Sequence, residues 1–549
     1  MTAGKGTGRR REIDGWSIRW NAERAADWRA SGLWLDRTIC DYAAELAASE
    51  PDRLLIIDGD VELRAGPLWD EARRLADALS RRGIVRGDVV SFMLPNWHES
   101  CAVYLATSLI GAVCHPLVTN YRHAELLFML GDCKSKIIFV PAIYRNHDYV
   151  TMLREVCEEL DTPPDVCVLR GDAGAFVAYE TLMAEGRPGI DFDSIDPDAV
   201  RMILYTSGTT GRPKGVLHTH NSINADIVQL QREWNGGRDA RYLVASPVSH
   251  IGGSLYTFEM PLIYGTSAVL MDPWDADRAV ELIDRWQCTH MAGATPFLDL
   301  LVKSARKAGT RLPSLRLFIC GGASVPPALI RGATEWFENC IATRVYGSTE
   351  VPTITVGSLL PGDIEHAAGT DGRIGMATVR VKAPDANGEG EIYARGPQIM
   401  AGFFDRKDEE AAFDEDGFYR MGDLGRIVDG DYIVITGRTK DIIIRNGENI
   451  SPKEIEDILI THPRISEIAV VGLPSAKTGE LACAFVVPHD GGDIVVADLV
   501  ALLADHGVAK FKYPERVIVR NELPRNATGK VLKHILQKEY AGMQAETAT

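Results

Sequence analysis

Four short apolar runs, KIIFVP (136–141), RMILY (201–205), SAVLMD (267–272) and LRLFICGG (315–322), are separated by longer stretches with helical apolar spacing. A run of four to eight apolar residues is strand-sized, and alternation with amphipathic helices buries such strands on both faces. The chain therefore reads as α/β with largely parallel sheets. The last two runs end in Asp or Gly, at the carboxyl ends of strands where ligand loops gather. At 549 residues the chain exceeds what one hydrophobic core holds, so at least two domains are expected. The most apolar stretch, CAVYLATSLIGAVCHPL (101–117), is too short to cross a bilayer and contains His115 and Pro116. It reads as a buried helix passing into a strand.

A boundary falls near GRTKD (437–441). GDYIVIT before it reads as a hairpin strand, and IIIRNGENISPKEIEDILITH after it as a strand, a turn at Asn446–Gly447 and a helix opened by Ser451 and Pro452. From Arg438 onward there are 14 Lys+Arg against 15 Asp+Glu, so nearly all of the net charge of −17 lies upstream. Residues 1–30 are expected as a flexible tail, 31–437 as a large domain and 441–549 as a small one.

The negative charge argues against nucleic acid or an anionic membrane as the main partner, so polyanionic ligands need local cations. Ten cysteines without metal-type spacing read as reduced core thiols. MTAGKGTGRRREIDGW carries no apolar segment of a secretory signal, and a cytoplasmic location is expected, without integral membrane association. The oligomeric state is left open, a homodimer included.

The stretch YTSGTTGRPKG (205–215) crowds hydroxyls and glycines before a proline and a lysine. Such a loop after a strand can aim several backbone N–H groups at a phosphate, with Lys214 adding a compact charge. It is not a Walker A loop, because Pro213 precedes Lys214 and no Ser or Thr follows it. A plain surface turn has the same composition.

The loop is joined in order by YGSTE (346–350), YRMGDLG (419–425), GRTKDIIIRNGENISPKEIE (437–456) and PRNATGKVLK (524–533). Together they resemble the adenylate-forming superfamily of acyl- and aryl-CoA synthetases, peptide-synthetase adenylation domains and firefly luciferase. The resemblance runs from about residue 32 to near the C-terminus. It implies a large multi-subdomain α/β domain bearing a smaller, mobile α+β domain, with a hinge at 438–440 centred on Lys440. It also implies ATP, Mg²⁺ and coenzyme A as reactants and cofactor: a carboxylic acid is first joined to AMP with loss of pyrophosphate, then passed to a thiol.

Residue by residue, the resemblance puts Thr206, Ser207, Gly208, Thr209, Thr210, Gly211 and Lys214 on the phosphates of ATP. Gly321, Gly322, Ala323, Tyr346 and Gly347 line the adenine slot, Asp423 takes the ribose, and Arg438 reaches the ribose or phosphate. Thr349 and Glu350 take the α-phosphate and Mg²⁺, with Thr206 a further metal contact. Lys530 bridges carboxylate and α-phosphate, and Gly447 and Glu448 flank the arm of coenzyme A, with Lys510 and Lys512 further contributors. The acyl pocket draws on His250, Ile251, Gly252, Thr295 and Gly347, with His250 as a gate.

Small residues Gly252, Gly253 and Ser254 suggest space behind that gate, which fits a medium-chain, alicyclic or aromatic acid. No Asp stands near Val248–Ser249–His250–Ile251 to read an α-amine, so amino-acid activation is not expected. Carrier-loading aryl enzymes commonly have an Asn near the position of His250, and its absence tilts the reading toward free coenzyme A. Loading of a carrier protein, and a catalytically silent binding protein of the same fold, stay open.

Overall fold

The computed structural model describes residues 9–207, 212–234, 236–322, 325–446, 448–475, 478–489, 491–525 and 529–547, without the side chains of Ser207 and 541–547. Two large sheets dominate it. One has seven strands in the order Ile341–Arg344, Leu317–Cys320, His290–Gly293, Arg241–Val244, Ser267–Leu270, Leu54–Asp58 and Val61–Arg64, parallel except for the last hairpin. The other has eight, in the order Val177–Ala178, Asp165–Leu169, Ile137–Pro141, Val89–Phe92, Val113–Pro116, Val200–Ser207, Pro213–Thr219 and Gly402–Phe403. All four apolar runs of the sequence lie in these strands. The stretch 101–117 is a helix, Glu99–Leu109, followed by the strand Val113–Pro116, as its composition implies.

The sheets share a core to which both contribute alternate strand faces, filled by the helices Ala65–Arg81 and Glu99–Leu109 and a π-helical turn at Leu255–Glu259. Within it Arg201 and Glu259 form an ion pair at 2.9 Å with both side chains at 0% exposure, and the Tyr104 phenol donates to the same carboxylate. The ten cysteines are free thiols, nine of them buried. Among the described residues no helix is long and apolar enough to cross a membrane.

The N-terminal thirty residues differ from expectation. From Arg9 they form a hairpin, Arg9–Ile13 with Trp16–Trp20, turned by Asp14 and Gly15 at φ of 51° and 84°, and then a helix, Ala22–Ala30. Arg11 pairs with Asp198 at 2.5 Å, Arg10 with Glu409 at 2.8 Å, and Trp16 Nε1 donates to the Gly87 carbonyl at 2.8 Å. Arg10 and Arg11 are thus paired with carboxylates of the body of the protein. An Asp-Gly hairpin signal was present in the sequence, but polar strands flanked it and hid it.

A four-stranded antiparallel sheet ends the large domain with the hairpin Tyr419–Val428 and Tyr432–Arg438. The smaller sheet that follows is built on the long hairpin Ile465–Ser475 and Gly479–Pro488. Its alternating residues pack two ways: Val470, Ala482 and Ala484 face the helices Pro452–Leu459 and Val496–Asp505, while Val471, Cys483 and Phe485 face Leu536 and Tyr540 of Lys533–Thr547. This period-two division makes it an α+β unit with its own core.

Candidate active site

The glycine- and hydroxyl-rich loop joins two antiparallel strands, with Thr206 opposite Lys214 and Tyr205 opposite Gly215 in the ladder. Gly208, Thr209, Thr210 and Gly211 lie outside the described residues, as does the side chain of Ser207. Lys214 is half-buried, and its ammonium lies 3.2 Å from Asp408 and over the ring of Phe403. Asp408 is thus a counter-ion that a phosphate would have to displace.

YGSTE follows the strand Ile341–Arg344 and turns back sharply. A Cβ on Gly347 would stand 2.6 Å from Thr353 N, so only glycine fits the turn. Tyr346 N donates to Thr355 Oγ1 at 2.7 Å, and Thr355 N returns a bond to the Tyr346 carbonyl at 3.1 Å. His218, buried and pushed down to about 4 by desolvation, is neutral near pH 7 and places Nε2 2.7 Å from the Thr349 carbonyl. The Glu350 carboxylate accepts from the Tyr419 phenol, and among the described residues no cation pairs with it. Neither His218 nor Tyr419 was singled out from sequence, although both lie in or beside the quoted motifs.

Asp423 is buried, and both its oxygens are engaged: Tyr346 donates to Oδ2 at 2.6 Å and Arg438 Nε approaches Oδ1 at 3.1 Å. Asp423 and Arg438 are ladder partners in the hairpin that closes the large domain. Just beyond, Thr439 bonds the Gly422 carbonyl through both N and Oγ1 at 3.0 Å, and Lys440 is exposed.

Lys530 is brought to this place from the small domain. Burial pushes its ammonium down to about 8, Arg438 and Lys440 add to the fall, and Asp423 and Asp441 oppose it. The preceding Gly529, at φ of 80°, packs where a Cβ would stand 3.8 Å from the Ala294 side chain. Gly529 thus lies close to Ala294 of GATPF, next to Thr295, whose hydroxyl meets the Cys320 thiol. Phe297 stacks on Trp274 with ring centroids 4.5 Å apart.

His250 caps the short helix Ile251–Ser254, its Nδ1 accepting from Gly252 N at 3.2 Å, and burial pushes it down to about 4, so it is neutral at pH 7. The space expected behind it is narrower than the sequence suggested. A Cβ on Gly253 would lie 1.9 Å from the Pro247 carbonyl oxygen, and Ser254 is buried with its hydroxyl on the Ile251 carbonyl. Those two small residues serve close backbone packing; Gly252, where a Cβ would meet only His250 at 3.5 Å, is the open one. Gly321 is needed for a similar reason, since a Cβ there would come within 2.9 Å of the Val345 carbonyl; Gly322 has a φ of 83° and open space beside it. Ala323 lies outside the described residues.

On the thiol side, Gly447 also lies outside the described residues. Its neighbour Asn446 is left-handed at φ of 54°, and Glu448 is exposed and pairs in register with Arg445. Lys512 is bonded to Glu454 at 2.7 Å, and Lys510 is exposed. Asp58, His98 and Glu99 are the one group of three metal-type ligands found close together among the described residues, and Arg170 already donates to both carboxylates.

The arrangement sets a lysine of one domain near a buried carboxylate that also engages a phenol and a guanidinium of the other. It can hold a nucleotide and place positive charge where an acid meets its phosphate. The sequence pattern of the AMP-binding enzyme family matches residues 43–404, and that of the AMP-binding enzyme C-terminal domain matches residues 454–530. The chain belongs to the AMP-binding enzyme family. This AMP-binding enzyme is 34% identical over 542 residues to the medium-chain fatty-acid–CoA ligase of Escherichia coli, covering 95% of the chain and 94% of the relative. It is 30% identical over 509 residues to the indoleacetate–CoA ligase of Aromatoleum aromaticum, covering 91% of the chain and 96% of the relative. Among solved structures, ATP-bound MatB from Rhodopseudomonas palustris superposes with a TM-score of 0.81 at 29% identity, over 91% of the chain and 99% of MatB. The AMP-binding enzyme thus has the adenylate-forming fold, a large N-terminal α/β domain and a small C-terminal one.

Proposed function

We propose that the protein is an ATP-dependent acid–CoA ligase acting on a medium-chain, alicyclic or aromatic carboxylic acid. The acid's carboxylate attacks the α-phosphorus of ATP, the bond to pyrophosphate breaks, and the resulting acyl-AMP is attacked by the thiol of coenzyme A with release of AMP. The observation that carries this reading is the position of Lys530, on the small domain yet within the field of Asp423 and Arg438, directly after Gly529, which packs near Ala294.

In this reading Lys530 spans the carboxylate and the α-phosphate, and its charge offsets the negative charge that builds there. Tyr346 lays its ring along the adenine while its hydroxyl orients Asp423, whose remaining lone pairs accept from the ribose. Lys214 exchanges Asp408 for the outer phosphates, and His218 fixes the Thr349 backbone. Glu350, held by Tyr419 and without a cation partner among the described residues, fits Mg²⁺, which needs few carboxylates and keeps several waters. When bound with ATP, the ion neutralises phosphate charge. The domain boundary at 438–440 is the hinge, about which the small domain turns to withdraw Lys530 and bring the 447–448 turn to the thiol.

The test is acyl-CoA formation with purified protein, ATP, Mg²⁺, free coenzyme A and a panel of fatty, alicyclic and aromatic acids. The reading expects acid-dependent AMP and thioester with at least one of these classes. Acyl-adenylate without thioester on free coenzyme A would move the acceptor to a carrier protein.

A further inference from the structure

LPNWHE (94–99) follows the strand Val89–Phe92 of the eight-stranded sheet and belongs to none of the motifs quoted above. Asn96 in it is 3% exposed, and its amide reaches across to the seven-stranded sheet. Oδ1 accepts from Val248 N at 2.9 Å, while Nδ2 lies 3.0 Å from the Ser246 carbonyl, 3.1 Å from that of Met271 and 3.2 Å from that of Val244. Two amide hydrogens are thus shared among three carbonyls, and the acceptor is used as well. The backbone N of Asn96 donates to Asp272 at 3.2 Å. A single side chain ties together the ends of the strands Arg241–Val244 and Ser267–Leu270 and the turn that leaves the first of them.

That turn ends at His250. His250 N bonds the Pro247 carbonyl at 3.0 Å, and Gly253 packs on the same peptide so closely that no Cβ fits. Where residues 246–248 stand decides where the imidazole stands. No other side chain of similar size serves the same pattern. Asp would set carboxylate oxygen against three carbonyls, and Leu would leave the Val248 N–H and three carbonyls without their partner.

We infer that Asn96 is a positioning residue for the acid-side wall: without touching the acid, its amide sets the 246–250 backbone and so the place of His250 against the acyl group. This rests on the reading of His250 as part of the acyl pocket, and the two are separable by experiment.

Asn96→Ala, Asn96→Asp, His250→Ala and the double variant Asn96→Ala/His250→Ala are compared by KM for acid, KM for ATP and thermal midpoint. Asn96→Ala is expected to raise the acid KM about tenfold and to leave the ATP KM within about twofold, and in the His250→Ala background its effect on the acid KM shrinks to under about twofold, because coupled residues are not additive. Asn96→Asp, nearly isosteric and still able to accept from Val248 N, carries the same test if the alanine variant does not accumulate. A lower thermal midpoint with both KM values unchanged, or an equal rise in acid KM with and without His250, would overturn the inference while leaving the His250 reading intact. An acid KM unaffected by His250→Ala would overturn that reading and the inference with it.

Discussion

The phenol of Tyr346 donates to Asp423 Oδ2 at 2.6 Å, and Arg438 Nε stands 3.1 Å from Oδ1, so one buried carboxylate joins the loop after a parallel strand to the last residue of the strand Tyr432–Arg438. A hydrogen bond to a charged group contributes about 1.5–3 kcal/mol, more than a neutral one. Tyr346→Phe keeps the ring and removes only that bond. The ATP KM is expected to rise roughly tenfold, equivalent to 1.4 kcal/mol, with the acid KM unchanged. Steady-state titration of each substrate with the other saturating checks this.

Lys530 titrates at about 8, far below an ordinary lysine, because burial and the cations Arg438 and Lys440 disfavour its charged form. Only the charged form can stabilise the phosphate, so kcat/KM for adenylation falls as pH rises through about 8. The sign for stability is opposite: the unfolded lysine holds its proton up to about 10.5, so between the two values the unfolded state binds more protons and this group's contribution to stability rises with pH. Lys530→Arg stays charged throughout. Its adenylation rate, though lower, is expected to lose the alkaline fall, and Lys530→Ala is expected to lose adenylation while still converting supplied acyl-AMP and coenzyme A to thioester.

The backbone beyond Arg438 is held by Thr439 on Gly422, and Lys440 after it is exposed. Proline fixes φ near −65°. Lys440→Pro is expected to leave acyl-AMP formation within about twofold, since the present arrangement already places Lys530, and to reduce thioester formation at least about a hundredfold. Single-turnover measurement of each half-reaction distinguishes this from a general loss, which would remove the hinge from position 440.

How much of this could be read in the sequence follows from what kind of interaction places each residue. The strands came from local apolar runs, visible within a few residues. The motifs carrying Tyr346, Asp423 and Lys530 stood out because their residue types and order are distinctive. Asn96 was not, since its partners Val248 and Met271 are more than a hundred residues away and a lone Asn in LPNWHE reads as a turn. Gly253 was misread for the same reason: a missing side chain looks like space until the Pro247 carbonyl is found against it. The pairing of Arg11 and Arg10 was not legible because their carboxylate partners Asp198 and Glu409 lie far along the chain.

The pair Arg201–Glu259 lies away from the proposed chemistry, in the core between the two large sheets. Removing one member of a buried pair leaves an uncompensated charge and costs about 3–5 kcal/mol. Glu259→Ala is expected to lower stability by that amount in denaturant titration, with both KM values of the remaining folded enzyme unchanged.

The central claim is that Lys530 of the small domain and the nucleotide pocket of the large one together make the α-phosphorus of ATP open to attack by an organic acid. Acid-dependent exchange of labelled pyrophosphate into ATP, without coenzyme A, measures that step alone. The account predicts exchange with at least one medium-chain, alicyclic or aromatic acid in the wild-type protein and none in Lys530→Ala. Exchange that survives in Lys530→Ala, or its absence with every acid in the wild-type protein, would contradict it.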